Sequence, residues 1–181
     1  MKIRVALVTT VLALSVFLIA PSHTPFSVDW HDPASYPDVV KWAGCKAPVA
    51  IDPSEPAVAS YYNRLYKLMV VGTGPSQGQP YYVGLFVLLH ETGHCLQDQA
   101  GLLDIWALTD EPSRTQELDA DTRATNLACA AGLDGRRINH DTFEWVHEQY
   151  GYNGDPDHGT LAEREATADA ALMCRPASTE H

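Results

Sequence analysis

Two histidines four residues apart, at the end of a long apolar run, constrain this chain more than any other feature. The run is Tyr81-Tyr82-Val83-Gly84-Leu85-Phe86-Val87-Leu88-Leu89, and it leads directly into His90-Glu91-Thr92-Gly93-His94. Val83, Phe86, Val87, His90, His94 and Gln97 fall on one stripe at helical spacing, which predicts a helix turning both imidazoles towards the core. Residues four apart on a helix have Cβ atoms roughly 5–6 Å from one another. Taken singly, either histidine reads as a core residue satisfied by a hydrogen bond. Two of them bracketing a glutamate on a buried stripe read as a site, because three ionisable groups are costly to bury together without a purpose.

The chemistry that this spacing serves is metal binding. Two neutral imidazoles four apart can reach one Zn2+ ion at roughly 2.0–2.1 Å each. Glu91 lies about 100° round the helix from His90, near the metal but not aimed at it. That direction suits a catalytic carboxylate taking a proton from water held on the metal. Thr92 and Gly93 read as positions that need only keep the helix. A third ligand is required, and Thr115-Gln116-Glu117-Leu118-Asp119-Ala120-Asp121-Thr122-Arg123-Ala124 offers Glu117 and Asp121 on one face of a second helix. Glu117 completes a His90, His94, Glu117 set with the fourth position left to water. Asp121 then stands behind it, accepting from the outer nitrogen of a ligating histidine. Asp119 points elsewhere and reads as solvated. A third histidine six residues after His94 would be the alternative arrangement, but that position is Ala100. Cys95 follows His94 directly, yet its direction lies about 100° away, so a disulfide or core role fits it better than ligation.

The chain resembles the bacterial neutral zinc metallopeptidase family, one of the groups with HExxH and a downstream glutamate. His90-Glu91-Thr92-Gly93-His94-Cys95-Leu96-Gln97 resembles the family's His-Glu-x-Gly-His-x-x-Gln, and Glu117-Leu118-Asp119-Ala120-Asp121 its Glu-Leu-x-Ala-Asp. Asp155-Pro156-Asp157-His158-Gly159-Thr160-Leu161-Ala162-Glu163 is similar to a third block, Asp-Pro-x-His-Gly-Ser before an acidic helix start. The likeness covers roughly residues 83 to 174; where the family often has a cysteine after Ala-Asp, this chain has Thr122. The resemblance implies a zincin-like fold and peptide-bond hydrolysis. It also brings forward His158, in a Gly- and Asp-rich loop, as the residue steadying the oxyanion, with His147 and Tyr150 as alternatives.

Upstream, Met1-Lys2-Ile3-Arg4 is a basic head, and Val5 to Ala20 is a nearly unbroken apolar run of 16 residues. That is short for a membrane span and fits a signal peptide over residues 1–22, cleaved after Ser22. An uncleaved anchor is the alternative, and either form makes the remaining domain secreted or extracytoplasmic. The remaining 159 residues suit one domain. Losing Lys2 and Arg4 takes the formal charge from −11 to −13, which argues against nucleic acid or an anionic membrane as partner. Export favours pairing of Cys45, Cys95, Cys129 and Cys174, which allow three connectivities. Cys129 with Cys174 and Cys45 with Cys95 are preferred. The first would staple the C-terminal helix to the Glu117 helix, and the second would tie the N-terminal segment to the His90 helix.

Residues 23–53 are rich in proline, aspartate and aromatics and read as an extended arm, anchored by Trp30, Tyr36 and Trp42. Pro48 to Asp52 is the one good strand candidate. Ser54 would cap a helix with Val58, Tyr61, Tyr62, Leu65, Leu68 and Met69 on its apolar side. Gly72 to Pro80 is a loop without the ending of a phosphate loop. The Glu117 helix should end near Gly132, and Asp134-Gly135 should turn the chain. Asn139 would cap a helix with an inward stripe of Phe143, Val146, His147 and Tyr150, ended by Gly151. Thr160 with Glu163 makes a capping box for a last helix running towards Cys174. The expectation is a mainly α single domain over 54–175 with at most a small β element, and a loose tail at 176–181. Its function would be that of a secreted zinc endopeptidase acting on a peptide or protein. A zinc amidase or esterase, and a binding or scaffold protein with a structural zinc, are the alternatives. Oligomeric state is not legible.

Overall fold

The computed structural model describes residues 32–74, 79–103 and 113–174. The segment expected to be a signal peptide, Trp30, most of the loop after Gly74 and the expected loose tail lie outside the described residues. The fold is mainly α-helical with a small mixed β element. A 3-10 turn over Pro33–Ser35 opens into helix α1, Tyr36–Trp42, so this part of the N-terminal segment is helical rather than extended. Tyr36, Val39 and Val40 pack into the core, and Cys45, just after α1, is disulfide-bonded to Cys95. Strand β1, Val49–Asp52, falls where the sequence places it.

The helix expected after Ser54 does not form. A 3-10 turn at Ala57–Ala59 is followed by strands β2, Tyr61–Asn63, and β3, Leu68–Gly72. The apolar residues there do fit helical spacing, but β3 pairs in parallel with β1 from Val49↔Met69 to Asp52↔Gly72, and antiparallel with β2. Met69 and Val71, two apart, are the buried side chains, whereas Tyr61 and Leu65 are exposed. Long-range pairing by β-branched and aromatic residues overrides the local period. The sheet order is β1-β3-β2, which leaves β2 at an edge.

Four further helices make the body: α2, Tyr81–Gln99; α3, Arg114–Ala130; α4, Gly135–Tyr150; and α5, Leu161–Ala170. A two-stranded pair, β4 Gly154–Asp155 with β5 Gly159–Thr160, joins α4 to α5. Leu85, Phe86, Leu88 and Leu89 of α2 pack with Ala124 and Ala128 of α3 and with Ile138 and Phe143 of α4. The start of α4 is capped by Asp134, not by Asn139. Asn139 lies fully buried inside the helix, its amide donating to Thr125 and Thr167 hydroxyls on α3 and α5. Gly151 ends α4 in the left-handed region at φ 65°. Glu163 and Thr160 form the expected capping box on α5.

Both preferred disulfides are present. Cys45–Cys95 and Cys129–Cys174 close chain separations of 50 and 45 residues. Loops of that size are worth about 4 kcal/mol each in the chain-entropy account of cross-linking. Two such bonds fit an oxidising, extracytoplasmic compartment. No helix among the described residues is long and apolar enough to cross a membrane.

Candidate metal centre

Helices α2 and α3 lie side by side, and at Gly93 their backbones approach closely. A Cβ at Gly93 would stand 3.1 Å from both Cα and O of Ala120. The position expected to tolerate anything helical is therefore restricted by the neighbouring backbone. This approach lets α3 present Glu117 to both histidines of α2.

The three expected ligands converge. His90 Nε2 and His94 Nε2 are 3.0 Å apart. Glu117 Oε2 is 3.1 Å from the first and Oε1 is 3.2 Å from the second. All three residues are buried. Four ligands in a tetrahedron around zinc at 2.0–2.1 Å lie about 3.3 Å from one another, close to what is seen. The outer nitrogens explain the orientation. His90 Nδ1 donates to Asp121 Oδ1 at 2.8 Å, and His94 Nδ1 donates to Gln97 Oε1 at 2.9 Å. Both Nε2 lone pairs then turn inward, towards a carboxylate. With both imidazoles neutral, three acceptors face one another in a buried site and need a cation among them, either a proton shared with Glu117 or a metal ion; the donor set suits a divalent metal.

Charge around the site is tightly coupled. Burial opposes charging of His90, but hydrogen bonds to Asp121 and Glu117 outweigh it and push the imidazole up to about 10. Burial also opposes ionisation of Glu117, yet the two imidazoles hold its carboxyl well below the usual range. Asp121 is likewise depressed against its own burial, first by Arg164 and then by His90. Glu91 behaves differently: burial dominates and raises it, partly offset by His90, His94 and the Tyr62 amide. The Tyr62 N–H, on edge strand β2, donates to Glu91 Oε2 at 2.7 Å.

Several side chains at the site were not found in the sequence. Arg164 of α5 makes a two-pronged ion pair with Asp121, Nε to Oδ2 at 2.7 Å and Nη2 to Oδ1 at 2.8 Å. Its guanidinium also lies 4.6 Å over the Phe143 ring. A lone arginine in an otherwise acidic and apolar stretch, directly after the third resembling block, was the available signal. Gln97 is anchored by its amide donating to Gln116 O at 2.7 Å and to Asp119 Oδ2 at 2.8 Å. Asp119 is thus tied to the support of His94 and also accepts from Arg123, rather than being only solvated.

A cleft of about 780 Å³ reaches the three converging residues and Glu91. Its walls include the β2–β3 hairpin, Phe86, Phe143, Tyr152, Asp155 and His158. His158 lines it with Nδ1 held 2.9 Å from both oxygens of Asp155, an Asp-x-x-His pairing that the sequence also displays. The alternatives fare worse. Tyr150 is largely exposed, and His147 is exposed with Nδ1 donating to Tyr152 O at 2.9 Å. Neither is among the lining residues of the cleft. The inward face of α4 is instead Ile138, Asn139, Thr142, Phe143 and Trp145.

Comparison of the chain with protein-family models, with curated proteins and with solved structures gave no match in any of the three. The finding that stands on geometry is a His-His-Glu cluster able to hold a metal ion, as in a zinc-dependent enzyme.

Proposed function

We propose that this protein is a zinc-dependent endopeptidase, with His90, His94 and Glu117 as the metal ligands and Glu91 as the general base. The observation that carries the reading is the convergence of the three ligands at the floor of an open cleft that Glu91 also lines. A purely structural zinc is normally closed off by four protein ligands, whereas catalytic sites keep a position facing the substrate.

When bound, the cation would supply Lewis acidity to a water molecule and to the scissile carbonyl. The chain's own residues do the rest. Glu91 is raised by burial, so its basicity is greater than that of an exposed carboxylate. Oε2 is held by the Tyr62 amide, which leaves Oε1 to take a proton from the attacking water. The same carboxyl then hands that proton to the leaving amine. His158, oriented by Asp155, faces the cleft and can donate to the oxygen on which negative charge develops. Asp121, fixed by Arg164, keeps His90 in the tautomer that offers Nε2.

The direct test is metal content together with digestion of a peptide mixture. One zinc per chain and cleavage within peptides are expected, with zinc strongly reduced in His90→Ala and Glu117→Ala. Full zinc occupancy in both variants would overturn the ligand assignment.

A further inference from the structure

The four-residue turn between β2 and β3, Arg64 to Lys67, is built inside out. Its polar side chains are spent on the protein. Lys67 Nζ donates to Asp98 Oδ2 at 2.6 Å, and Arg64 Nε lies 3.7 Å from Asp98 Oδ1. Arg64 also reaches Leu103 O at 3.5 Å, and Asn63 Oδ1 accepts from the Tyr66 N–H at 3.0 Å. Just before the turn, the Tyr62 phenol donates to Asp98 Oδ2 at 2.7 Å. The large apolar side chains face water: Leu65 is 75% exposed, Tyr66 73% and Tyr61 49%.

Holding the turn this way opposes two local preferences. Asp98 is in the last turn of α2, where a carboxylate works against the helix dipole. Lys67 takes a left-handed backbone, φ 49°, without being glycine. Lys67 stays 59% exposed while Asp98 holds its Nζ, but a turn selected only for solubility would also put Arg64 outward, which is 26% exposed here, and Leu65 inward. Clustered exposed apolar side chains on a fixed scaffold mark a contact surface. All three line the same cleft as Glu91, His90 and His94, so the surface is continuous with the metal cluster.

We propose that this turn is the substrate-selecting wall of the cleft, and that Leu65, Tyr66 and Tyr61 receive a bulky apolar or aromatic side chain of a peptide. The proposal rests on the endopeptidase reading for the identity of the ligand as a peptide. Asp98 is the anchor that holds the wall in place, and the metal cluster lies deeper in the same cleft.

Binding separates this proposal from catalysis. Zinc-loaded Glu91→Gln protein is titrated with short Gly–Ser peptides carrying one Phe, Leu, Ala or Asp. Burial of a large side chain should make the Phe and Leu peptides bind about 10-fold or more tightly than the Ala peptide. Adding Leu65→Ser and Tyr66→Ser should bring the peptides to within about 2-fold of one another. Zinc content and unfolding midpoint should stay unchanged, because both side chains are exposed. An undiminished preference in the double variant, or no preference in its parent, would overturn the proposal. Wild-type protein incubated with the same peptides distinguishes the two readings. Selective binding without cleavage keeps the wall and rejects the endopeptidase, whereas cleavage indifferent to the varied residue does the reverse.

Discussion

Tyr62 bridges two turns of α2: its backbone N–H donates to Glu91 Oε2 at 2.7 Å, and its phenol donates to Asp98 at 2.7 Å. An edge strand thus fixes the carboxylate assigned the proton transfer. The same carboxyl is raised by burial, and this sets a sign for the pH dependence. Glu91 acts as a base only when ionised, so a raised pKa moves the loss of activity to higher pH. With zinc kept saturating, kcat/KM should fall on the acid side with a midpoint above the ordinary glutamate value of about 4.3. Activity that stays level down to pH 4 would contradict that placement.

Gly93 should tolerate no side chain. In Gly93→Ala the new methyl group meets the Ala120 backbone at 3.1 Å, and backbone yields less readily than a flexible side chain. Overpacking of this kind costs about 1–3 kcal/mol. Because α3 carries Glu117, pushing it away should also weaken zinc binding. Denaturant unfolding and zinc titration check both effects; a variant equal to wild type in both would show that the close approach is not required.

Arg164→Met should destabilise the fold by about 3–5 kcal/mol, because Asp121 is then left as a buried charge without its principal partner. Asp121 is depressed in the folded state, so its contribution is fully present above its unfolded pKa of about 3.9. That contribution is lost as pH falls through the folded value. The difference between variant and wild type should therefore shrink in strong acid. Urea unfolding at pH 7 and in acid measures it, and a pH-independent difference would place the effect in packing against Phe143 instead.

The legible parts of this protein were those whose signal is local. The stripe from Val83 to Gln97 and the Glu117–Asp121 spacing each lie within one helix, so periodicity alone identified them. The capping box of Thr160 with Glu163 is local in the same sense. The β2–β3 hairpin was misread because Tyr61, Leu65 and Leu68 do fit a helical stripe, and only pairing with β1 decides otherwise. Arg164 went unseen because its partner Asp121 is 43 residues away. Asn139 looked like a cap because asparagine favours that place, whereas here its Nδ2 donates to buried hydroxyls on two other helices. Gly93 could not be judged from one helix, since its constraint comes from the backbone of another.

The central claim is that Glu91 moves the proton while His90, His94 and Glu117 hold the metal. Glu91→Gln tests it most directly, because the amide keeps the size of the side chain and can still accept from Tyr62, but is no longer basic. Peptide hydrolysis is measured at equal zinc occupancy, so that metal loss cannot imitate a catalytic defect. The expected result is bound zinc, an unchanged unfolding midpoint and a fall in kcat of at least about 10²-fold, the lower end of what a positioned general base contributes. Wild-type hydrolysis in fully loaded Glu91→Gln would contradict the assignment.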